Sequence, residues 1–360
     1  MRLGIVGLPL AGKTTVFNAL TGASIPTGLQ LGPGKVEVHS LVADIPDPRL
    51  DALNELFQPR KVTRAQVTFV DVDGLRVEAE GRGLPGALAS HLATADGLLG
   101  VIRAFDDETV PHPLGSVDPQ RDLDRLENEL LLHDMVAVER RIERLNEERE
   151  KGSRDRATIE RERAMFERLQ GHLADGTPLR QTEWSAEDDN AVGGFLLLSR
   201  RPLLVVFNTG EDKPSSAGAP LPAAAPGRPA MPLAGKLEME IAQLPQEEAQ
   251  AFLEGYGLKE PGRQRVLRES YDLLGLQSFF TGNELEGKAW TLRRGSTALQ
   301  AAAAIHSDLA KGFVRAEVIG WSELIEAGGL PQARARGLLR IQGKDYVLED
   351  GLYVVIRSSH

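Results

Sequence analysis

The sequence has 360 residues, of which 41% are hydrophobic and 26% are charged, with a net charge of −10 and no cysteine. This length predicts two or three domains, and since no apolar run could cross a bilayer and no signal-peptide pattern opens the chain, we expect a cytoplasmic protein without a membrane partner. The acidic charge argues against a surface that coats nucleic acid unspecifically, and the missing cysteine excludes disulfides, thiolate zinc sites and cysteine nucleophiles.

Short apolar runs alternate with helical patterns at the start of the chain, which predicts a parallel sheet covered by helices. Between Asp118 and Leu173 apolar residues recur at alternating spacings of three and four, interrupted at Lys151 to Ser153, which predicts an antiparallel helical hairpin. The sheet pattern resumes at PLLVVFN, so the hairpin is an insertion. We therefore predict a first domain in two parts, 1–118 and 196–276, a hairpin at 119–195, and an α+β domain at 277–360.

A phosphate-binding loop is the clearest motif. The residues from Gly7 to Thr14 match G-x-x-x-x-G-K-S/T between a predicted strand and a predicted helix. In such a loop the backbone N–H groups surround phosphate oxygens, the lysine reaches the β and γ phosphates, and the hydroxyl binds Mg²⁺. We assign Lys13 to the phosphates, Thr14 to the metal, and the nucleotide contacts to the residues Leu10, Ala11, Gly12, Lys13, Thr14 and Thr15.

The next apolar strand ends in a D-x-x-G arrangement formed by Asp71 and Gly74. In this arrangement the carboxylate holds a metal-bound water and the glycine amide senses the γ phosphate. In the alternative interpretation, Asp71 only caps a turn. Leu75 follows where many GTPases have a glutamine that orients the attacking water. Because leucine makes no hydrogen bond through its side chain, another group must organise hydrolysis.

The segment Asn208-Thr209-Gly210-Glu211 follows a third apolar strand, at the place of the guanine-reading Asn-Lys-x-Asp motif. We assign Asn208, Thr209 and Glu211 to the base. The lysine is missing and Glu211 replaces the aspartate, so guanine selectivity should be weakened. In the alternative interpretation, Asn208 only braces the phosphate loop.

The chain resembles an Obg-like ATPase of the YchF group over nearly its whole length. The resemblance rests on GIVGLPLAGKTTVFNALTGA, PDPRLDAL, FVDVDGL, RAFDDETV, the Asn208 motif, FFTGNELEGKAWTLRRGSTALQAAAAIHSDLAKGFVRAEVI and GKDYVLEDG. It implies a Ras-like P-loop G domain with the hairpin inserted, a carboxyl-terminal TGS domain of β-grasp type, a preference for ATP over GTP, and ribosome association. It also implies that His112 is the catalytic group replacing the glutamine, with a solvated surface histidine as the alternative.

Both switch regions depart from this family. The threonine that contacts Mg²⁺ in the first switch falls on Lys35, which cannot ligate a metal while protonated, and Thr27 would need a rearrangement to serve. In a second interpretation, Lys35 lies over the γ phosphate and stabilises its charge in place of the missing threonine and metal contact. The second switch continues with Arg76, Val77 and Glu78. We therefore expect slow hydrolysis.

The predicted function is a Mg²⁺-dependent ATPase switch, with Lys13, Gly74 and His112 as catalytic residues and Thr14 and Asp71 as metal ligands. The alternatives are a largely noncatalytic ATP-bound module that contacts rRNA or a ribosomal protein, and a GTPase. Residues 277–360 carry 10 Lys and Arg against 9 Asp and Glu, and are the least acidic part. Candidate phosphate contacts there are Arg293, Arg294, Lys311, Arg315, Arg334, Arg336 and Arg340, with a solvated surface as the alternative. We expect a monomer.

Overall fold

A computed structural model describes residues 1–27, 37–73, 86–92, 94–210, 221–255 and 257–359. The strands in this part of the chain are β1 (Arg2–Val6), β2 (Glu37–Asp44), β3 (Lys61–Thr63), β4 (Gln66–Asp73), β5 (Gly97–Ala104), β6 (Leu203–Thr209), β7 (Ala230–Leu233), β8 (Leu276–Gly282), β9 (Glu286–Arg293), β10 (Phe313–Gly320), β11 (Arg340–Gln342) and β12 (Leu352–Ser358).

The helices in the same residues are α1 (Lys13–Thr21), α2 (Pro48–Phe57), α3 (Gly86–Leu92), α4 (Pro119–Lys151), α5 (Arg156–Ala174), α6 (Ala186–Val192), α7 (Gly235–Gln243), α8 (Gln246–Gly255), α9 (Gly262–Leu273), α10 (Ala298–Ile305), α11 (Ser307–Lys311), α12 (Trp321–Ala327) and α13 (Leu330–Ala335). Among the described residues, no helix is both long enough and apolar enough to span a membrane.

The chain divides into two compact units. Unit 1 comprises 1–41 and 68–266, and unit 2 comprises 42–67 and 267–360. The predicted boundaries kept 42–67 within the first domain, whereas the structure groups this segment with the carboxyl-terminal residues. The hairpin belongs to unit 1.

The sheet of unit 1 has the strand order β2-β4-β1-β5-β6-β7. Its central strands pair in parallel, with β1 between β4 and β5 and with β6 between β5 and β7. The strands β1, β5 and β6 are almost entirely apolar and buried, as expected for parallel strands covered on both faces. The predicted α/β fold with a phosphate loop after its first strand is confirmed.

The inserted hairpin consists of α4 and α5, joined by a turn at Gly152. This glycine has φ of 59°, the left-handed conformation that ends α4. A shared apolar core contains the buried residues Leu131, Val138, Leu145, Ile159, Phe166, Leu169 and Leu173. The coiled-coil stripe read from the sequence is therefore the seam between the two helices.

Unit 2 is built on a mixed sheet of order β11-β10-β12-β8-β9-β3. The pairs β10 with β11, β10 with β12, and β8 with β9 are antiparallel, whereas β12 with β8 and β3 with β9 are parallel. Apolar residues of α10, including Ala298 and Ala301, share a core with strand residues such as Val318 and Val354. This sheet with a helix against one face confirms the predicted α+β domain of β-grasp type.

The early segment 42–67 contributes the edge strand β3 to this sheet. Lys61, Val62 and Thr63 pair with residues of β9, and the Thr63 hydroxyl donates a 2.7 Å hydrogen bond to Glu286. The guanidinium of Arg49 in α2 pairs with Asp350 at 2.7 Å. Unit 2 is therefore assembled from two separate parts of the sequence.

Candidate nucleotide site

The phosphate loop connects β1 to α1 and is held in place by close backbone packing. Gly12 has φ of 87°, and a Cβ there would lie 2.2 Å from Nδ2 of Asn208. A Cβ on Gly7 would lie 2.3 Å from the carbonyl oxygen of Val101 in β5. Both motif glycines are thus required by neighbouring atoms. Because Gly12 precedes the first residue of α1 and has no side chain, it leaves the first N–H groups of the helix uncapped.

The proposed metal ligands lie side by side at the start of α1. The Thr14 hydroxyl donates a 2.7 Å hydrogen bond to Oδ2 of Asp71, which is fully buried in β4. A hydroxyl and a carboxylate are both oxygen ligands of the kind that Mg²⁺ prefers, and Mg²⁺ in nucleotide sites needs few protein ligands because water and phosphates supply the rest. These two residues therefore fit a magnesium ion.

Lys13 folds back over the loop in this structure. Its Nζ donates to the carbonyl oxygen of Leu8 at 3.1 Å, which places the ammonium group across the mouth of the loop. Ala11 is buried, whereas Leu10, which has φ of 61°, is partly exposed. The loop residues Leu10 to Thr15 are thus brought together as the sequence motif requires.

Asn208 braces the loop from the end of β6. Its Nδ2 donates to the carbonyl oxygen of Ala11 at 3.0 Å, and its Oδ1 accepts from the N–H of Gly235 at 3.0 Å. Asn208 is 4% exposed and the neighbouring Thr209 is 5% exposed. The bracing role is therefore present, and base reading by Asn208, Thr209 and Glu211 stays a prediction. Gly235, the first residue of α7, was missed by the sequence reasoning, although an Ala-Gly-Lys sequence between a strand and a helix was a usable signal.

His112 is buried beside the first turn of α4, so the solvated-surface alternative is wrong. Its side chain is 4% exposed, and Nε2 lies 2.8 Å from Oδ2 of Asp122. The N–H of Leu114 donates to Nδ1 at 3.1 Å. Since Nδ1 accepts a hydrogen bond, the proton of the neutral ring is on Nε2 and is donated to Asp122. In this arrangement neither ring nitrogen is open to a water molecule.

Further contacts fix the surroundings of His112. Arg121 donates to the other oxygen of Asp122 through Nε at 3.0 Å and Nη2 at 2.8 Å. The buried Arg103 donates to the carbonyl oxygens of Phe105 and Val110, at 3.1 Å and 2.7 Å. The histidine loop is therefore tied to β5 at one end and to α4 at the other. Arg103 was not singled out from the sequence, although a charged residue inside an apolar strand signals such a tether.

Several predicted positions lie outside the described residues: Gly74, Leu75, Arg76, Val77, Glu78, Lys35 and Glu211. Thr27 is described and is exposed. Within the described residues, hydrogen bonds therefore link the phosphate loop to Asp71 and to the brace Asn208, and His112 lies beside α4, where its membership of the site stays a prediction.

Comparison with known proteins bears on both units. The model of the YchF GTPase carboxyl-terminal domain, described as a protein of unknown function (DUF933), matches residues 276–358, and that of the 50S ribosome-binding GTPase matches residues 2–141. The chain is 37% identical over 355 residues to the "Ribosome-binding ATPase YchF" of Haemophilus influenzae, covering 97% of each chain. The chain belongs to the YchF family.

Other members of the YchF family agree over the same length. The protein of the same name from Bacillus subtilis is 36% identical over 98% of this chain and 97% of its own. The solved structure of the Schizosaccharomyces pombe YchF GTPase superposes with a TM-score of 0.84 at 28% identity, covering 99% of this chain and 97% of that one. The resemblance read from the sequence is therefore confirmed for both units.

Proposed function

We propose that this YchF-family chain binds ATP with Mg²⁺ at its phosphate loop and hydrolyses it slowly, in a cycle linked to the ribosome. The observation that carries this proposal is the contact between Thr14 and Asp71. A helix-start hydroxyl and a buried strand-end carboxylate 2.7 Å apart provide the two oxygen ligands that a nucleotide-bound magnesium ion uses.

The phosphate contacts follow from the loop geometry. The uncapped N–H groups at the start of α1 and the ammonium group of Lys13 supply positive charge where the β and γ phosphates would lie. Bound Mg²⁺ would neutralise charge that develops on the phosphate oxygens. Thr14 and Asp71 would hold that ion, while Asn208 keeps the loop in its binding conformation.

Slow turnover is supported by the position of His112. Its two ring nitrogens are engaged by Asp122 and by the N–H of Leu114, so the resting arrangement does not present it to an attacking water. As His112 is the proposed replacement for the missing glutamine, hydrolysis requires it to leave Asp122. The resting chain should therefore bind ATP more readily than it hydrolyses it.

The ribosome link is supported by the names of relatives. The proteins from Haemophilus influenzae and Bacillus subtilis are both named ribosome-binding ATPases, and each aligns with 97% or more of this chain. Two alternatives remain as candidates. The engaged His112 favours a largely noncatalytic ATP-bound module, and the fission yeast relative, which is called a GTPase, favours GTP as the substrate.

The test is calorimetric titration of nucleotide-stripped protein with ATP and with GTP in the presence of Mg²⁺. We expect tighter binding of ATP, lost in Lys13→Ala and retained in Lys151→Ala, a matched change on the exposed surface of the hairpin. Tighter binding of GTP would establish the GTPase alternative. Turnover of roughly 1 s⁻¹ or faster without a partner would contradict slow hydrolysis.

A further inference from the structure

Arg103 is a buried arginine near the carboxyl end of β5. The residue is 3% exposed and is followed by Ala104, the last residue of the strand. Its Nε donates to the carbonyl oxygen of Phe105 at 3.1 Å and its Nη2 to that of Val110 at 2.7 Å. The carbon atom of the guanidinium, Cζ, lies 4.4 Å from the centre of the Phe105 ring. The groups in these contacts are all electrically neutral.

The charge of Arg103 has no ion-pair partner among the described residues, and its buried Nη1 has no hydrogen-bond partner. Asp107 lies on the loop that follows β5, but its exposed carboxylate accepts from the hydroxyl and the N–H of Thr109, at 2.6 Å and 2.9 Å. These two bonds, and to a smaller degree the charge of Arg103, lower the pKa of Asp107. Because an arginine keeps its charge in a protein interior, a buried guanidinium without a partner is costly.

The need to hold the histidine loop does not explain a charged side chain at this position. Two carbonyl oxygens can accept from a neutral amide, which is less costly to bury than a guanidinium. Arg180 shows the usual way to bury an arginine, because its side chain is also 3% exposed but is paired with Glu127. The charge of Arg103 therefore exceeds what the contacts within the fold require. A bound anion can supply the missing negative charge.

The position of Arg103 in the sheet indicates which anion this is. Ligands of open parallel sheets bind at the carboxyl ends of the strands. Val101, two positions before Arg103, places its carbonyl oxygen against Gly7, where a Cβ would lie only 2.3 Å away. In the ladder between β5 and β6, Arg103 is paired with Asn208, which donates to the carbonyl oxygen of Ala11. Arg103 is thus one strand away from the brace of the phosphate loop.

We propose that the phosphates of a bound nucleotide compensate the buried charge of Arg103, which makes this arginine a binding residue for nucleoside polyphosphates. The inference rests on the proposed function for the identity of the ligand. Charges interact strongly across a medium of low dielectric constant, and salt screens a buried charge only weakly. The effect therefore needs no hydrogen bond between Arg103 and the nucleotide, and it grows with the number of phosphates.

Arg103 and Lys13 contribute to phosphate binding in different ways. The ammonium group of Lys13 donates to the carbonyl oxygen of Leu8 and must move to reach a phosphate. The guanidinium of Arg103 is fixed by two carbonyl oxygens and packed on an aromatic ring. A charge that is already fixed in place loses no side-chain freedom when the ligand binds. Arg103 therefore provides a constant positive field, whereas Lys13 provides a direct contact.

The test is displacement of a fluorescent ATP analogue by ATP, ADP and adenosine at a fixed Mg²⁺ concentration. Arg103→Gln removes the charge but keeps an amide that can donate to a carbonyl oxygen, and Arg103→Lys keeps the charge. We expect Arg103→Gln to weaken ATP binding on the order of tenfold, ADP binding by a smaller factor, and adenosine binding not at all. Arg103→Lys should keep most of the wild-type ratio between the affinities for ATP and adenosine.

Arg200→Gln is the matched control. Arg200 precedes β6 and therefore lies at the amino end of the strands, where it is paired with Asp189. All three affinities of this variant should equal those of the wild type. An equal loss for ATP, ADP and adenosine in Arg103→Gln would show that Arg103 only tethers the loop, and would overturn the proposal. An unchanged ratio between ATP and adenosine would overturn it as well.

Thermal unfolding without nucleotide checks that the variants fold, and Arg103→Met is a second neutral variant. The proposal requires that the nucleotide-free chain does not depend on this charge. At least one of Arg103→Gln and Arg103→Met should therefore fold without nucleotide. If both neutral variants failed to fold while Arg103→Lys folded, the fold itself would need the charge, and the proposal would be wrong.

The nucleotide series also separates this inference from the proposed function. If GTP binds more tightly than ATP, the ATP assignment fails, and a loss that increases from guanosine to GDP to GTP in Arg103→Gln would still establish the role of the charge. ATP binding by the wild type with an unchanged phosphate dependence in Arg103→Gln would remove only this inference. A wild-type chain that binds none of these ligands would overturn both.

Discussion

The imidazole of His112 donates its Nε2 proton to Asp122 across 2.8 Å, and the two side chains are 4% and 2% exposed. Asp122 lies in the first turn of α4, the first helix of the inserted hairpin. The residue proposed to organise hydrolysis is therefore held by the element that interrupts the G domain. Any movement of the first turn of α4 relative to the histidine loop would release the ring.

Removal of Asp122 should accelerate ATP hydrolysis. In Asp122→Ala the ring loses its acceptor, and a freed imidazole can orient a water and accept its proton, a contribution on the order of a hundredfold or more. Single-turnover hydrolysis of bound ATP measures this directly. The control is Asp124→Ala, an exposed position on the same helix.

The double variant decides whether His112 mediates the effect. Asp122→Ala combined with His112→Ala should return to the slow rate, because the gain depends on the imidazole. Thermal unfolding checks that each variant is folded. The idea that Asp122 holds back a catalytic histidine would be contradicted if the double variant were faster than the wild type, or if the folded single variant were no faster than the wild type.

Replacement of Asn208 separates bracing from base reading. Asn208→Ala leaves the N–H of Gly235 and the carbonyl oxygen of Ala11 without their side-chain partner, a cost of about 1–3 kcal/mol in the free energy of unfolding. Bracing alone predicts that ATP and GTP affinities fall by the same factor. A change in the ratio of the two affinities, measured by calorimetry, would show that Asn208 also reads the base.

The parts of the fold that the sequence predicts are those determined by local patterns. The parallel strands are recognised as apolar runs, the hairpin as a stripe from Leu131 to Leu145, and the phosphate loop as a motif between a strand and a helix. In each case the structure depends on residues that are close together in the sequence, or on the same type of residue repeated at a regular spacing. Periodicity and motif order are sufficient there.

Contacts between residues that are far apart in the sequence could not be predicted. The strand β3 has only three residues, and its partner Glu286 lies 223 positions from Thr63, so no local pattern indicates the pairing. The same applies to Arg357, which donates to Glu317 at 3.1 Å although the two residues lie 40 positions apart. The contact between His112 and Asp122 could likewise not be predicted, because an acidic residue in the first turn of a helix is common and does not indicate a histidine partner.

Asp134 predicts a distinct pH dependence of stability. This carboxylate is buried in α4 and accepts 2.7 Å hydrogen bonds from the N–H groups of Leu198 and Ser199. Burial raises its pKa to about 7, against the opposing effect of those hydrogen bonds. Because this pKa lies above that of the unfolded chain, which is about 3.9, the stabilising contribution is complete only below that value and is lost as pH rises from there through about 7.

Denaturant unfolding of the wild type and of Asp134→Asn at about pH 5 and about pH 8 tests this. The wild type should lose stability relative to the variant at the higher pH, because the amide has no proton to release. Asp124→Asn, on the same helix but exposed, should follow the wild type. Parallel pH profiles for the wild type and Asp134→Asn would contradict the buried titration.

The contact between Thr14 and Asp71 predicts how nucleotide affinity depends on Mg²⁺. Asp71→Asn keeps the shape of the side chain but removes the charge that would favour the ion, so Mg²⁺ should no longer strengthen ATP binding, while binding in EDTA stays close to that of the wild type. Asp44→Asn, an exposed position on β2, serves as the matched control. Calorimetric titrations with and without Mg²⁺ give the ratio of the two affinities. If that ratio in Asp71→Asn equals the wild-type ratio, Asp71 is not a metal ligand and its bond to Thr14 only positions the helix.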